Sequence, residues 1–503
     1  MTTTAPARQT SAASRAFVAA WLERIRQFGS LAFGQHLGIT ILVGIGAALR
    51  IAVMIGYQPA LWFGGDSGVY IRQSKLLVPP IDPFRPTGYT LFLKILWPTH
   101  TLFSVVALQH LMGLAVVVAA YIFLQRRGLP RWLSCLAVVP LLFDALQVSL
   151  EQFILVETLF TTVLVASFLV LLWHRVPTTL VCIISGALFF GAWFIKPLAL
   201  PLFPILVVYL LLRRVGWRRI TGFSVAFLIP YVIVQVLVSG HTSVYGSNSS
   251  AIYGRAASIA DCDRLTLTAA ERKLCPGPGQ RNMRPDWYIW ATDAPGAKYR
   301  GASSAYPAMR GFAIAVFTTQ PGDYFRQVGK ELAAHFVPGI DLGWSYGCLR
   351  ERGGSLPATA RDTRPIGQQC HPQLASANFD DRSNPSATNP PATPLTVALH
   401  GYSVAVRTSP VVVSLATLLT LLAFFIRRRG QWWLARDAGM LMVSGLALIV
   451  LPVLVGMYEA RYALPALPLV CIAGALSVQQ LRLSRRSSPD TNAGSTPDPA
   501  STA

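Results

Sequence analysis

Charge is what this chain lacks most: only 13% of its 503 residues are Asp, Glu, Lys or Arg, while 53% are hydrophobic. A water-soluble globule of this size cannot cover itself with so little polar surface, so much of the apolar surface must face lipid. Acidic residues are scarcer still, 22 against 43 Lys and Arg, for a formal net charge of +21. Such an excess suits a nucleic-acid partner only if the bases form one stripe, and here they do not. They fall in short groups between apolar runs: Arg126, Arg127 and Arg131; Arg213, Arg214, Arg218 and Arg219; Arg427, Arg428, Arg429 and Arg436; Arg482, Arg485 and Arg486. That placement orients membrane helices and argues against a nucleic-acid partner. The eight histidines show no ligand spacing, and the absence of a Cys-x-x-Cys pair gives no support to a zinc site. There is no internal repeat and no matched pair of Gly- or Pro-broken spans, which weighs against an inverted-repeat transporter.

The apolar runs are long and many. The first, over 38–57, is too long and too far from the N-terminus for a cleaved signal; others begin near 101, 133, 153, 180, 197, 220, 409, 438 and 462. The expected fold is therefore an all-α polytopic membrane protein of roughly ten transmembrane helices. With every arginine group on one side, both termini are cytoplasmic, and 57–100 and 240–408 lie outside the membrane. The domains read as a cytoplasmic segment 1–36 with an amphipathic helix over 15–28, a transmembrane region 37–239 holding a first outer loop 57–100, a large extracytoplasmic loop 240–408, C-terminal spans 409–486 and a disordered tail 487–503. One helix is expected in the large loop, after Pro321.

Cysteine placement agrees with that topology. Cys135, Cys182 and Cys471 lie in spans, whereas Cys262, Cys275, Cys348 and Cys370 share the outer loop, where an oxidising compartment favours disulfides. Four cysteines allow three connectivities, and the local one, Cys262 with Cys275 and Cys348 with Cys370, is the expectation.

The segment richest in chemistry is the first outer loop, FGGDSGVYIRQSKLLVPPIDPFRPTGYTLFLKIL over 63–96. Gly64 and Gly65 allow a sharp turn that exposes the Asp66 carboxylate, and Tyr70 follows one helical turn later. Arg72, Lys75, Arg85 and Lys94 surround that acid with bases at headgroup level. Amphipathic runs over 69–78 and 88–96 read as two short interfacial helices.

An Asp just past the first span, a Tyr one turn on and then RPTGYTLFL resemble the glycosyltransferase-C superfamily. Within it the chain is similar to membrane transferases that use polyprenyl-phosphate sugars, such as the protein O-mannosyltransferase and aminoarabinose transferase families. SLEQFILVETLF over 149–160, with Glu151 and Glu157, and EARYALPALPL over 459–469 extend the resemblance. It implies an extracytoplasmic active site, Asp66 as general base, a polyprenyl-phosphate sugar donor held among membrane lipid, and a glycan or protein acceptor hydroxyl. It implies inversion at the anomeric carbon in cell-envelope glycan or glycoprotein assembly, with mannose or arabinose as sugars of that class. Many relatives carry an adjacent acidic pair where this chain has Asp66 and Ser67, so no cofactor is assigned and a divalent metal is left open.

Chemistry alone asks for the same parts. A lipid-linked donor keeps its phosphate at the interface, an acceptor hydroxyl needs a base, and the leaving phosphate needs cations. Candidate substrate-binding residues are Tyr70, Arg72, Lys75, Arg85, Glu151, Glu157, Lys196, Glu459 and Arg461. Each has a plainer reading beside the functional one. Lys196 can snorkel at a helix end, and Glu459 with Arg461 can be a structural pair. Glu157, inside an apolar run where a charge costs about 2.5–3.5 kcal/mol, needs a cavity or a basic partner. Arg50, near the outer end of the first span, reads first as snorkelling and second as binding an anionic group. Asp144 is a weaker case, and the aromatics over 286–290 suit sugar stacking or an interfacial belt. Rival functions are a transporter or flippase of a lipid-linked or small polar substrate, and a scaffold whose outer loop binds a partner.

Overall fold

The computed structural model describes residues 36–63, 66–76, 87–239, 244–281, 283–299, 302–343, 345–347, 355–357, 373–374, 392–426 and 432–486. The expected amphipathic helix over 15–28, the tail over 487–503, and Gly64, Gly65, Arg85, Cys348 and Cys370 lie outside these residues.

The chain is a polytopic helical membrane protein. Among the described residues six helices are long and apolar enough to cross a bilayer: Leu37–Gly56, Leu102–Arg126, Trp217–Leu237, Pro394–Phe425, Trp432–Val455 and Ala466–Ser484. A bent pair, Arg131–Phe143 and Ala145–Gln152, makes a seventh if taken as one span. Every apolar run expected to span is helical, but Glu157–Leu172, Thr179–Ile195 and Pro197–Leu212 fall short of the roughly 20 residues a perpendicular crossing takes. The count of ten therefore mixes long spans with short apolar helices. Hydropathy marks a helix as apolar without saying whether lipid or protein covers it.

The faces left outside the bundle are those of a lipid-embedded protein. Ile41, Ile45, Ile51 and Ile55 line one exposed side of the first helix, and Leu228, Ile229, Val232, Ile233 and Val236 do so on Trp217–Ser239. Inside, Thr179–Ile195 packs along Trp217–Ser239, and the last helix, Ala466–Arg486, lies between Ser409–Phe425 and Trp432–Val455. Phe203 stacks on Phe227 at 4.7 Å and on Phe223 at 5.9 Å, which ties the short helix Leu202–Leu212 to the long helix Trp217–Ser239.

The break between Arg131–Phe143 and Ala145–Gln152, a bend of 49°, has a local cause. Asp144 is extended (φ −64°, ψ 124°) and caps the second helix by accepting from the Leu146 amide. Its other oxygen accepts from the amides and hydroxyls of Thr408 and Ser409 at 2.8–2.9 Å. Asp144 is thus a buried cap, both of whose oxygens accept hydrogen bonds, that fixes the start of Ser409–Phe425.

Arg50 does not snorkel. It is 1% exposed and forks onto Glu151, Nε to Oε2 at 2.7 Å and Nη2 to Oε1 at 3.0 Å. His110 Nδ1 and Gln147 Nε2 complete the Glu151 shell at 2.9 and 2.7 Å. A Cβ at Gly113 would stand 1.9 Å from Glu151 Oε1, so this carboxylate needs glycine opposite it.

Outside the bundle, the large loop is more ordered than expected. Besides the anticipated helix, Pro321–Phe336, it contains Val244–Ala257 and Tyr306–Thr319, which pack around Tyr253, Tyr288, Met309, Phe312 and Val316. Tyr288, from the aromatic run over 286–290, is part of that core, whereas Trp290 is exposed. Arg255 ties the unit to the bundle: it forks onto Glu331 at 2.6 and 3.0 Å and donates to the Val453 carbonyl. Glu331 in turn accepts from the Tyr458 amide at 2.7 Å.

Cys262 and Cys275 form the expected disulfide. Closing a loop of that length is worth about 3 kcal/mol in the chain-entropy model. The double variant Cys262→Ser/Cys275→Ser should therefore raise amide exchange in Tyr306–Thr319 by roughly 100-fold. Unchanged exchange would show that the bridge does not stabilise this unit.

Candidate active site

Four chain segments distant in sequence supply one polar cluster. The helix Asp66–Ser74 starts at its key residue, earlier than the amphipathic pattern over 69–78 suggests, because Ser67 closes the turn: its hydroxyl accepts from the Phe63 amide at 3.0 Å and donates to the Ile154 carbonyl at 2.8 Å. This fixes Asp66 at the head of the helix, with its side chain 22% exposed. The second interfacial helix, Gly88–Leu96, sits as expected and meets the end of Thr179–Ile195, where a Cβ on Gly88 would come within 2.7 Å of the Phe194 carbonyl. That approach brings Lys196, next along the chain, to the same place.

Arg461 is the hub. Its Nη1 lies 3.2 Å from Asp66 Oδ2 and 3.6 Å from Glu157 Oε1, and its Nε donates to Glu459. Lys196 Nζ reaches Glu157 Oε1 at 3.0 Å. Aromatic faces hold both cations: Lys196 Nζ lies 4.5 Å from the Tyr462 ring centroid, and the Arg461 guanidinium 4.4 Å from that of Phe63. Three carboxylates thus surround two cations, and two of the acids are sealed, with Glu157 1% and Glu459 4% exposed at the side chain. One oxygen of each, Oε2, is buried with no hydrogen-bond partner.

Burial pushes the Glu459 carboxyl above its usual range, with Arg461 pulling it back. Burial also works against the Arg461 charge, but Glu459, Tyr462, Glu157 and Asp66 outweigh it and hold the guanidinium firmly protonated. The arrangement is a fixed cation holding a partly exposed carboxylate at a defined angle.

Of the residues singled out in the sequence, Asp66, Glu157, Lys196, Glu459 and Arg461 come together. Tyr70 is buried beneath them, edge-on to Tyr89 at 5.0 Å, and Tyr89 donates to Gln109 Oε1 at 2.9 Å. Arg72 is exposed on the Asp66 helix and Lys75 lies just past its end. Glu151 belongs to the separate buried Arg50 cluster, which is linked to this network through Gln109, whose Nε2 donates to the Glu151 and Phe153 carbonyls. Ser67, where a second acid would stand, is spent on backbone. Among the described residues no three His, Cys, Asp or Glu side chains converge in a way that could hold a metal ion. Tyr462 and Phe63 were not picked out as site residues, although each is adjacent to a motif residue: Tyr462 follows Arg461, and Phe63 precedes the two glycines.

A second charged cluster marks the opposite end. Asp437 meets Arg127 Nη2 at 2.9 Å, Arg213 Nη1 at 2.7 Å and the Tyr209 hydroxyl at 2.7 Å. From Asp437 to Val455 the helix Trp432–Val455 rises about 27 Å, close to the thickness of a hydrocarbon core. Arg127 and Arg213 therefore sit at the opposite end of the bundle from the Asp66 cluster.

No family model matches the chain, and no curated protein matches its sequence. By shape it is similar to solved structures of membrane glycosyltransferases. One is the Saccharomyces cerevisiae protein O-mannosyltransferase complex bound to the sugar donor (15% identity over 41% of this chain and 34% of that one, TM-score 0.32). Another is an Archaeoglobus fulgidus oligosaccharyltransferase tethered to an acceptor peptide (11% identity, 89% and 50%, TM-score 0.40). A third is ArnT from Cupriavidus metallidurans bound to undecaprenyl phosphate (14% identity, 89% and 78%, TM-score 0.37). The chain spans about a third of the first of these and half of the second.

Proposed function

We propose that this chain is a membrane glycosyltransferase that moves a sugar from a polyprenyl-phosphate donor to an acceptor hydroxyl on the extracytoplasmic side, in cell-envelope glycan or glycoprotein assembly. The observation that carries this reading is Asp66: a partly exposed carboxylate, aimed by Arg461, at the end of a bundle whose far end holds Arg127 and Arg213. With arginines inside, Asp66 faces out.

The chemistry follows from which groups can reach a substrate. Asp66 is the general base that takes the proton from the acceptor hydroxyl as oxygen attacks the anomeric carbon; the C–O bond to phosphate breaks, and the lipid phosphate leaves with the electron pair. A double displacement would require a second carboxylate as nucleophile, about 5–5.5 Å from the first and open to the sugar. Glu157 and Glu459 are near but sealed and held by cations, which favours single displacement with inversion. Arg72, Lys75 and Arg85, which follow Asp66 in sequence, are the bases proposed to meet the departing phosphate, together with Lys196. Glu157, Glu459 and Tyr70 are positioning residues in this scheme, and Glu151 supports them from the next layer through Gln109.

The test is reconstitution of the purified chain in liposomes with mannosyl- or arabinosyl-phosphoryl polyprenol and an envelope glycan acceptor. A new glycosidic bond with release of lipid phosphate is expected. Movement of the lipid-linked sugar across the bilayer without a new bond would replace this reading with transport.

A further inference from the structure

On the other side of the segment that carries Arg461 lies a cavity of about 400 Å³. Its walls come from the end of Pro321–Phe336 and the loop after it, from the first turns of Ser409–Phe425 and of the last helix, and from residues 458–463. Tyr458, Ala460 and Ala463 face the cavity, while Glu459, Arg461 and Tyr462 serve the Asp66 cluster, so one short segment is a partition between the two.

His335 is the unspent polar group of this space. It is 7% exposed, lies against Tyr458 at 4.4 Å between ring centroids, and has no hydrogen-bond partner among the described residues. Its ring nitrogens are not sealed in protein, which leaves them in contact with the cavity it lines. Burial lowers its pKa to about 4, so at neutral pH the imidazole is uncharged and can donate from one nitrogen and accept at the other. The remaining charges lining the cavity, Arg407 and Asp341, are of opposite sign. Leu146, Val337, Ile340, Pro410, Val413 and Leu467 supply apolar wall. A volume of this size lies in the range of small-molecule sites.

We propose that this cavity binds a neutral amphiphile, an apolar body bearing a hydroxyl group, whose hydroxyl is held by His335. The placement matches the ligand: the cavity opens where membrane helices meet the outer unit, the depth at which a membrane alcohol carries its polar end. An anionic lipid would find no net positive charge and a neutral imidazole. The site stands on its own geometry and does not depend on the glycosyl-transfer reading. A ligand there bears on the wall that positions Arg461.

The test is equilibrium binding of tritiated farnesol, a C15 isoprenoid alcohol, to the full-length chain in nanodiscs, with farnesyl phosphate and the hydrocarbon farnesane as competitors. Saturable binding is expected, displaced by unlabelled farnesol and not by farnesane. His335→Phe should weaken it by roughly five- to tenfold, the worth of one neutral hydrogen bond, and His335→Gln should retain most of it. Val337→Trp, at a half-exposed rim position where bulk is tolerated, should also weaken it by narrowing the cavity. Thermal unfolding confirms that each variant is folded. Absence of saturable binding to the wild-type chain, equal affinity in the Phe and Gln variants, or stronger competition by farnesyl phosphate than by farnesol would each overturn the proposal.

Discussion

Asp66→Asn should lower sugar transfer by roughly 10²- to 10⁴-fold, the usual contribution of a positioned general base, without unfolding the protein. The amide is nearly isosteric and its oxygen can still accept from Arg461 Nη1, now 3.2 Å from the carboxylate. Arg461 also keeps Glu459 and Glu157, so no buried cation is left alone. The proton acceptor alone is lost. The measurement is the initial rate of sugar transfer from lipid-linked donor in membranes, normalised to inserted protein. A variant as fast as the wild type would remove Asp66 as the base, and with it the mechanism proposed above.

Arg461→Met should act differently, on stability as well as on rate. The side chain is 9% exposed, and its removal leaves Glu459 sealed without its cation and Glu157 with Lys196 alone. Breaking a buried pair by deleting one partner costs about 3–5 kcal/mol, because an uncompensated charge is left in a poorly solvated place. The midpoint of thermal unfolding in detergent should fall by several degrees, and activity should vanish in the fraction that remains folded. Arg461→Lys keeps the charge but not the planar fork that spans several carboxylates, and should recover only part of the loss. An unshifted midpoint in Arg461→Met would show that the cluster is not held by its arginine.

The contrast between these two variants reflects what could be read before the structure. Helix positions came through because apolar runs and arginine groups are local in sequence, and both interfacial helices were visible as amphipathic patterns. Asp66, Glu157, Lys196, Glu459 and Arg461 were each suspicious for the same reason: an ionisable group beside or within an apolar run must have a partner. Which partner was not legible. Arg50 looked like a snorkelling residue, yet its fork closes on Glu151, 101 positions away, through a helix bend that no periodicity announces. The helices Val244–Ala257 and Tyr306–Thr319 were missed because each is only 14 residues long, set in a stretch rich in Pro and Gly, and its apolar residues find their partners across the outer unit and not nearby in sequence. His335 gave no signal at all, since what distinguishes it is the empty space beside it.

The long-range polar contacts also impose an order on assembly. Asp66 waits 395 positions for Arg461, Asp144 waits 264 for Thr408, and Arg213 waits 224 for Asp437. During synthesis the first half of the chain therefore enters the bilayer before these three partners have been made. Those early helices must stay near water or near the insertion machinery until the C-terminal helices arrive. Arrival of these C-terminal helices supplies Arg461 and Asp437, so a chain cut short before them would lack one ion-pair partner at each end of the bundle.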